Sequence, residues 1–228
     1  MTSPATEPLP KLYIYDCCPF CVRARVIFGL KKVEHELVFV AYHDEATPLR
    51  LVGSKQTPIL ELPSGKAFPE SLDIVRYVDE NLGGAKILKE ASGREDLKAW
   101  FEKSRMDMYF LQLPRTAKAP FAELALRASR EYLVKKKESQ VGPIADLVAK
   151  TSEYLANVNA HLEELASIID SEKSVNADGL SYDDIVLFGS LRCLTLIKDI
   201  KWPAKVRAYV DYFSDAADVP LLDGMALM

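Results

Sequence analysis

Three of the four cysteines in this 228-residue chain, Cys17, Cys18 and Cys21, lie close together in sequence. Cys18-Pro-Phe-Cys21 is a C-x-x-C motif. If a helix starts here, cysteines at i and i+3 lie on the same side of its first turn, with their α-carbons close enough for a disulfide. The motif therefore predicts thiol–disulfide exchange.

The position of the motif assigns a role to each sulfur. Cys18 is expected at or just before a helix start, where free backbone N–H groups and the positive end of the helix dipole favour a thiolate. Pro19 suits the first helical position, because its missing N–H is not needed there. Cys21 lies one turn further on and should be more shielded. We therefore predict that Cys18 is the attacking thiolate and Cys21 the resolving thiol.

The alternatives are a zinc half-site and a pair of inert buried cysteines. A structural zinc ion takes four ligands, whereas the chain has no second C-x-x-C, Cys193 is remote, and the three histidines are scattered. A C-x-x-C between a strand and a helix of a βαβ pattern is typical of redox chemistry instead. We predict no metal site and no bound organic cofactor.

The motif is positioned by a predicted α/β domain. Short runs of β-forming residues and amphipathic helices follow one another in the order β-α-β-α-β-β-α. Predicted strands cover 11–15, 34–41, 57–62 and 66–68, and predicted helices cover 22–32, 45–52 and 71–82. We expect the core side chains of the second strand and the last of these helices to be Leu37, Phe39, Ala41, Leu72, Val75, Val78 and Leu82.

After a Gly-Gly pair and a predicted linker, the chain is expected to be all-helical. An apolar stripe over 144–165, without interior Gly or Pro, predicts one long helix. Leu180-Ser-Tyr-Asp-Asp184-Ile185 predicts a capping box with a hydrophobic staple, opening a buried helix from Tyr182 to about Lys198. The predicted organisation is a tail (1–10), an α/β domain (11–84), a linker (85–93) and a helical domain (94–228).

Charge and composition exclude several classes of function. The net charge is −4 and the sequence pI is about 5.5, which argues against a nucleic-acid-binding protein. The sequence has no run of 18 apolar residues, so no membrane span or membrane partner is predicted. The N-terminal residues lack a secretory signal, and the crowded cysteines indicate a reducing compartment, so we expect a cytoplasmic protein.

These features resemble a known family over nearly the whole chain beyond the tail. The α/β part resembles a glutaredoxin, a thioredoxin fold with a C-P-[YF]-C site, and the helical part resembles glutathione transferases. The combination resembles the bacterial glutaredoxin 2 family, through the segments Lys11-Leu-Tyr-Ile-Tyr-Asp16, Ala24-Arg-Val-Ile-Phe-Gly-Leu30, Pro69-Glu-Ser71 and Ile200-Lys-Trp-Pro203. The implied fold class is α/β plus all-α, a thioredoxin-like domain followed by a transferase-type helical domain.

The resemblance implies a glutathione site at two further positions. Thr57-Pro58 matches the family's cis-proline, and the backbone of Thr57 would pair with the cysteinyl part of glutathione like an extra strand. Glu70 and Ser71 match the pair that holds the γ-glutamyl end. Ser71 is also expected to be the N-cap of the following helix, where a carboxylate binds well. The alternatives are an ordinary strand-start proline and a serine that only caps its helix.

The walls of the implied site are less completely specified. Pro19 and Phe20 are expected to border glutathione; Phe20 replaces the commoner tyrosine and keeps the aromatic surface. Candidates for binding the glycine carboxylate are Arg50, Lys55 and Gln56.

Two other cysteines remain. Cys17 stands where relatives often carry histidine, as a bystander, an oxidation target or an intermolecular link. Cys193 is expected to be a small core residue.

The implied activity is glutathione-dependent thiol–disulfide exchange. A monomer would use glutathione as co-substrate to reduce protein–glutathione mixed disulfides and protein disulfides. A glutathione transferase shares the domain plan but activates the thiol of glutathione itself, and a non-catalytic, redox-sensitive binding protein could use the same scaffold. The complete C-x-x-C favours the reductase.

Overall fold

The protein is described by a computed structural model that covers residues 8–228, so residues 1–7 of the predicted tail lie outside the described residues. Within that range an α/β half precedes a helical half. The α/β half consists of β1 (Lys11–Ile14), α1 (Pro19–Leu30), β2 (Glu36–Phe39), α2 (Ala46–Val52), β3 (Ile59–Glu61), β4 (Ala67–Pro69) and α3 (Ser71–Asn81). The predicted order of these elements is confirmed. The helical half consists of α4 (Glu95–Lys118), α5 (Arg127–Val141), α6 (Ile144–Ala149), α7 (Thr151–Ile168), α8 (Tyr182–Leu194) and α9 (Ala204–Ala217).

The strands of the α/β half form one mixed sheet in the order β2-β1-β3-β4. β1 and β2 are parallel and are joined through α1, while β3 is antiparallel to both β1 and β4. Because β1 lies inside the sheet, Leu12 and Ile14 are completely buried. The C-x-x-C motif begins shortly after the end of β1.

Two predicted apolar faces differ from the structure. On β2, Leu37 is half-buried and Phe39 is 43% exposed, because β2 is an edge strand; Ala41 lies beyond its end. In α3, Leu72 is 38% exposed and Leu82 half-buried, and the stripe that faces the core is Ser71, Ile74, Val75, Val78 and Asp79. The stripe starts at the first helical residue, which is polar, so the apolar pattern alone places the buried face one residue too late.

The predicted capping box opens α8. The Asp184 carboxylate accepts the N–H of Ser181 at 2.9 Å, and it also accepts the N–H of Val175 at 2.6 Å and the hydroxyl of Tyr209 at 3.0 Å. α8 is buried along most of its length, as predicted for the central helix, but it ends at Leu194 rather than near Lys198.

The prediction of one long helix over 144–165 is wrong. The chain breaks at Lys150, whose φ of −97° and ψ of 13° leave the α-helical region, so α6 and α7 are separate helices. α6 packs against α4 and α5, whereas α7 runs along α4 and reaches α9. The apolar stripe is continuous in sequence and both helices pack on α4, but α6 also contacts α5 whereas α7 also contacts α9. No Gly or Pro marks the change of direction.

The two halves meet mainly along α1, which packs against α8 and α9. Glycines permit the closest approaches. A Cβ at Gly189 of α8 would lie 2.8 Å from the carbonyl oxygen of Pro19, and a Cβ at Gly29 would overlap the backbone of Ala217. The helix that carries the cysteine motif is therefore held directly against the helical half. Among the described helices, none combines the length and apolar character needed to cross a bilayer.

Candidate active site

The cysteine motif lies at the end of the loop between β1 and α1 and in the first turn of α1. Cys18 is the N-cap of α1, with φ −92° and ψ 121°, and Pro19 occupies the first helical turn, as predicted. Cys18 is partly exposed, while Cys21 is completely buried and its sulfur accepts the backbone N–H of Tyr15 at 3.4 Å. One sulfur is accessible and the other is shielded.

The two thiols have opposite pKa shifts. A hydrogen bond from the Cys21 thiol is the largest influence lowering the pKa of Cys18; burial opposes it, and the backbone N–H groups of Cys21 and Phe20 and the charge of Arg23 add to it. Burial is the largest influence raising the pKa of Cys21 well above its usual range, followed by its interaction with Cys18. The proton therefore stays on Cys21 and the charge on Cys18.

The loop before Cys18 is held by the helical half. The carboxylate of Glu123 accepts the N–H of Cys17 at 2.9 Å, and the side-chain amide of Gln112 donates to the Cys17 carbonyl at 3.3 Å. Arg192 donates to the carbonyl of Asp16 at 2.7 Å and to its carboxylate at 2.9 Å. These residues were not among the predicted site residues. A lone arginine in the apolar segment of α8 was a usable signal, whereas nothing near Glu123 in the sequence indicated its role.

The remaining cysteines are both buried. Cys17 is 7% exposed, and burial together with the nearby Glu123 carboxylate raises its pKa well above the usual range. A protonated, enclosed thiol favours the bystander interpretation of Cys17. Cys193 is 1% exposed, and burial raises its pKa to about 12, which confirms it as a core residue.

The sheet register brings the other predicted positions to the same edge. Tyr13 of β1 pairs with Ile59 of β3, and Ile59 pairs with Pro69 of β4. The segment before β3 and the segment after β4 therefore both lie near the end of β1 from which the cysteine motif emerges. The predicted positions come from three separate regions of sequence and converge because of strand pairing.

Each of these predicted positions has a distinct environment. The Thr57–Pro58 peptide bond is cis. The Thr57 side chain acts to lower the pKa of the Cys21 thiol, against the larger effect of burial. Ser71 is 7% exposed and is the first residue of α3. The prediction that Ser71 is the N-cap is wrong: Glu70 is the N-cap, with φ 73°, and no side chain caps the helix. α3 therefore starts one residue earlier than predicted, and the Glu70 side chain directly before it is exposed.

The candidates for the glycine carboxylate differ in how far they are already engaged. The Lys55 ammonium donates to the carbonyl of Tyr42 at 2.8 Å and lies 3.5 Å from the ring centre of Tyr132. The Gln56 amide donates to the Ser54 hydroxyl at 2.7 Å. Arg50 is exposed on α2. Within residues 8–228, no group of three or more His, Cys, Asp or Glu side chains is arranged to hold a metal ion.

A C-x-x-C at the start of the first helix of a thioredoxin-like sheet, followed by an all-helical half, is the plan of a glutaredoxin built on the scaffold of the glutathione transferases. The comparisons agree for both halves. Residues 17–81 match the family model for the glutathione S-transferase N-terminal domain, and residues 96–226 match the model for the glutaredoxin 2 C-terminal domain.

Full-length relatives make the assignment more specific. The chain is 42% identical to glutaredoxin 2 of Escherichia coli (strain K12), over 95% of this chain and 100% of the relative. A crystal structure of glutaredoxin 2 from Salmonella typhimurium in complex with glutathione superposes with a TM-score of 0.92, at 41% identity, over 96% of this chain and 100% of that one. The chain belongs to the glutaredoxin 2 family and is a glutathione-dependent thiol–disulfide oxidoreductase. A glutathione transferase from Phanerochaete chrysosporium, at 15% identity and a TM-score of 0.71 over 92% of this chain and 98% of that one, shares only the fold.

Proposed function

We propose that this oxidoreductase uses Cys18 as its nucleophile and Cys21 as its resolving thiol. The observation that carries the proposal is the asymmetry of the two sulfurs: Cys18 is accessible with a lowered pKa, and Cys21 is buried with a raised one. A thiolate is the attacking species in disulfide exchange. The helix start and the Cys21 hydrogen bond both stabilise that thiolate.

The monothiol cycle uses Cys18 alone. Its thiolate attacks the glutathione sulfur of a mixed disulfide between glutathione and a client protein, and the bond between the glutathione sulfur and the client sulfur breaks. The client sulfur leaves with the electron pair and takes a proton from water. A glutathione thiolate then attacks the glutathione sulfur of the Cys18 adduct, which releases oxidised glutathione and restores the Cys18 thiolate. Two glutathione molecules, counting the one already bound to the protein, become one disulfide.

Protein disulfides require the second thiol. Attack by Cys18 on such a disulfide links it covalently to the client and frees one client thiol. Cys21 then loses its proton and attacks the Cys18 sulfur, which frees the second client thiol and forms the Cys18–Cys21 disulfide. Two glutathione molecules reduce this disulfide in turn. The high pKa of Cys21 keeps it protonated until the adduct has formed.

We assign glutathione to the edge of the sheet beside Cys18. The backbone of Thr57, next to Pro58, would pair with the cysteinyl part of glutathione. Ser71 is mostly buried at the start of α3, and its side chain is not used to cap that helix, so we assign its hydroxyl to the γ-glutamyl carboxylate. The exposed Glu70 carboxylate would pair with the γ-glutamyl ammonium group.

The other side of glutathione would contact the start of α1. Phe20 is 51% exposed and offers an aromatic surface next to Pro19. The glutathione complex of the Salmonella relative supports a glutathione site in this family. We further propose a cytoplasmic monomer that acts on client proteins, with domains at 11–84 and 94–228 joined by a linker at 85–93.

Cysteine variants in a mixed-disulfide reduction assay coupled to glutathione reductase test the roles. Cys18→Ser should abolish turnover of both substrate types. Cys21→Ser should retain reduction of glutathione mixed disulfides but lose reduction of protein disulfides. Cys193→Ala, a change at a buried core cysteine, serves as the control and should retain both activities. Turnover by Cys18→Ser would refute the nucleophile assignment, and glutathione conjugation without disulfide reduction would favour a transferase.

A further inference from the structure

A cleft between the two halves opens beside the cysteine motif. It has a volume of about 790 Å³ and lies between α1, α4 and α8. Pro19 and Phe20, the two residues directly after Cys18, form one border, and Met106 and Tyr109 of α4 form part of the other. Pro19 and Phe20 therefore lie at the border between the glutathione site and the cleft, whereas Thr57, Pro58, Glu70 and Ser71 do not line the cleft. The space is therefore separate from the sheet edge assigned to glutathione.

The cleft carries positive groups without carboxylate partners. Arg23 and Arg105 both line it, and neither forms an ion pair with another residue of the described chain. The guanidinium of Arg23 lies 4.6 Å above the centre of the Phe20 ring, and its Nε is buried without an acceptor among residues 8–228. The charged residues of the lining are two arginines and one glutamate, Glu102, so the lining carries a net positive charge.

A guanidinium that is held on an aromatic ring in the wall of a cleft, without an ion-pair partner in the described chain, is suited to a carboxylate of the client. Arginine binds carboxylates through paired, charge-assisted hydrogen bonds, and these strengthen where water is partly excluded. The apolar surface around it, which includes the half-exposed Phe20 and the 39%-exposed Met106, is suited to large apolar side chains. The lining is therefore suited to a ligand that carries both a carboxylate and a large apolar side chain.

The geometry of disulfide exchange indicates which molecule enters this space. The attacking sulfur approaches along the axis of the S–S bond, so the leaving sulfur departs on the far side of the central sulfur. When Cys18 attacks the glutathione sulfur, glutathione and the client chain must extend in different directions. With glutathione at the sheet edge, the cleft beside Phe20 remains open to the client.

We infer that the cleft between α1, α4 and α8 binds the client side of the mixed disulfide and selects segments in which acidic and large apolar side chains flank the glutathionylated cysteine. This inference rests on the proposed role of Cys18. The carboxylate of the client pairs with Arg23 and Arg105, and its apolar side chains pack on Phe20 and Met106. The charge of Arg23 also stabilises the Cys18 thiolate, so the variants that test the inference change Arg105 and leave Arg23 in place.

Two glutathionylated peptides of equal length test the inference, one with Phe and Glu beside the cysteine and one with Phe and Lys. We expect wild-type kcat/KM to be about tenfold higher for the acidic peptide, since each partly exposed ion pair contributes up to about fivefold. Arg105→Glu should reduce this preference about fivefold or more. Lys98→Glu makes the same charge change on α4 outside the cleft and should keep the preference.

The mixed disulfide of glutathione and 2-mercaptoethanol separates this inference from the proposed function. It carries no client carboxylate, so wild type and Lys98→Glu should reduce it equally. If wild type fails on this substrate, the proposed function is wrong. If wild type reduces it but treats the two peptides alike, or if Arg105→Glu keeps the full preference, the cleft does not select acidic clients. A preference that does not shrink at high salt would also overturn the inference.

Discussion

Gly29 offers a direct test of how tightly the two halves are packed. A Cβ at this position would overlap the carbonyl oxygen and carbon of Ala217, the last residue of α9, and would lie 2.7 Å from its Cα. All three obstacles are backbone atoms, which cannot move aside as a flexible side chain can. Gly29→Ala therefore forces α1 and α9 apart.

The expected loss of stability follows from two opposing effects. Alanine is intrinsically favoured over glycine in a helix by about 0.5–1 kcal/mol. Overpacking a close interface costs about 1–3 kcal/mol and occasionally more, and the upper end applies here because the obstacle is backbone. We expect a net destabilisation of about 2–3 kcal/mol. For a protein of this size, that corresponds to a fall in Tm of roughly 4–12 °C.

Urea unfolding followed by circular dichroism measures the effect, and Gly224→Ala is the matched control. A Cβ at Gly224 has no atom within 4 Å, so this change should alter the free energy of unfolding by less than about 0.5 kcal/mol. If Gly29→Ala unfolds at the same urea concentration as Gly224→Ala, the close packing of α1 on α9 is refuted. Two separate transitions in the wild type would likewise refute tight coupling of the halves.

Three further changes test the interior of the α/β half and the site. Lys31→Met leaves the completely buried Asp79 carboxylate, 3.5 Å away, without its cation; urea unfolding should show a loss of about 3–5 kcal/mol, and a loss under about 1 kcal/mol would contradict this. Cys21→Ala removes the hydrogen bond that stabilises the Cys18 thiolate, so the Cys18 pKa rises. Because thiolate is lost as pH falls through that pKa, iodoacetamide alkylation of Cys18 should fail at a higher pH than in wild type; an unchanged curve would refute the role of Cys21. Glu123→Ala leaves the buried amide before Cys18 without its acceptor and should cost about 1–3 kcal/mol and reduce turnover, whereas Glu123→Gln keeps the acceptor; equal losses would contradict this account.

Local patterns were sufficient for much of the fold. The C-x-x-C, the proline after its first cysteine and the capping box before α8 each depend on interactions within one helical turn, so the start of α1 and the start of α8 were predictable. The order of strands and helices in the α/β half followed from hydrophobic periodicity. The break at Lys150 was not predictable in this way, because it depends on which helices α6 and α7 pack against.

The site itself shows the same division between local and long-range interactions. The residue types in the chain were enough to predict a redox-active cysteine pair and to propose which sulfur attacks, since both inferences depend on the start of one helix. The anchoring of the Cys18 loop by Glu123 and Arg192 is decided by the tertiary structure, because these partners lie more than 100 residues away and meet Cys17 and Asp16 only after the halves pack. The cleft beside Phe20 has the same origin. Hydrogen bonds within one helical turn join residues that are close in sequence, so the sequence alone determines them. A surface formed by distant helices exists only after tertiary packing has brought those helices together.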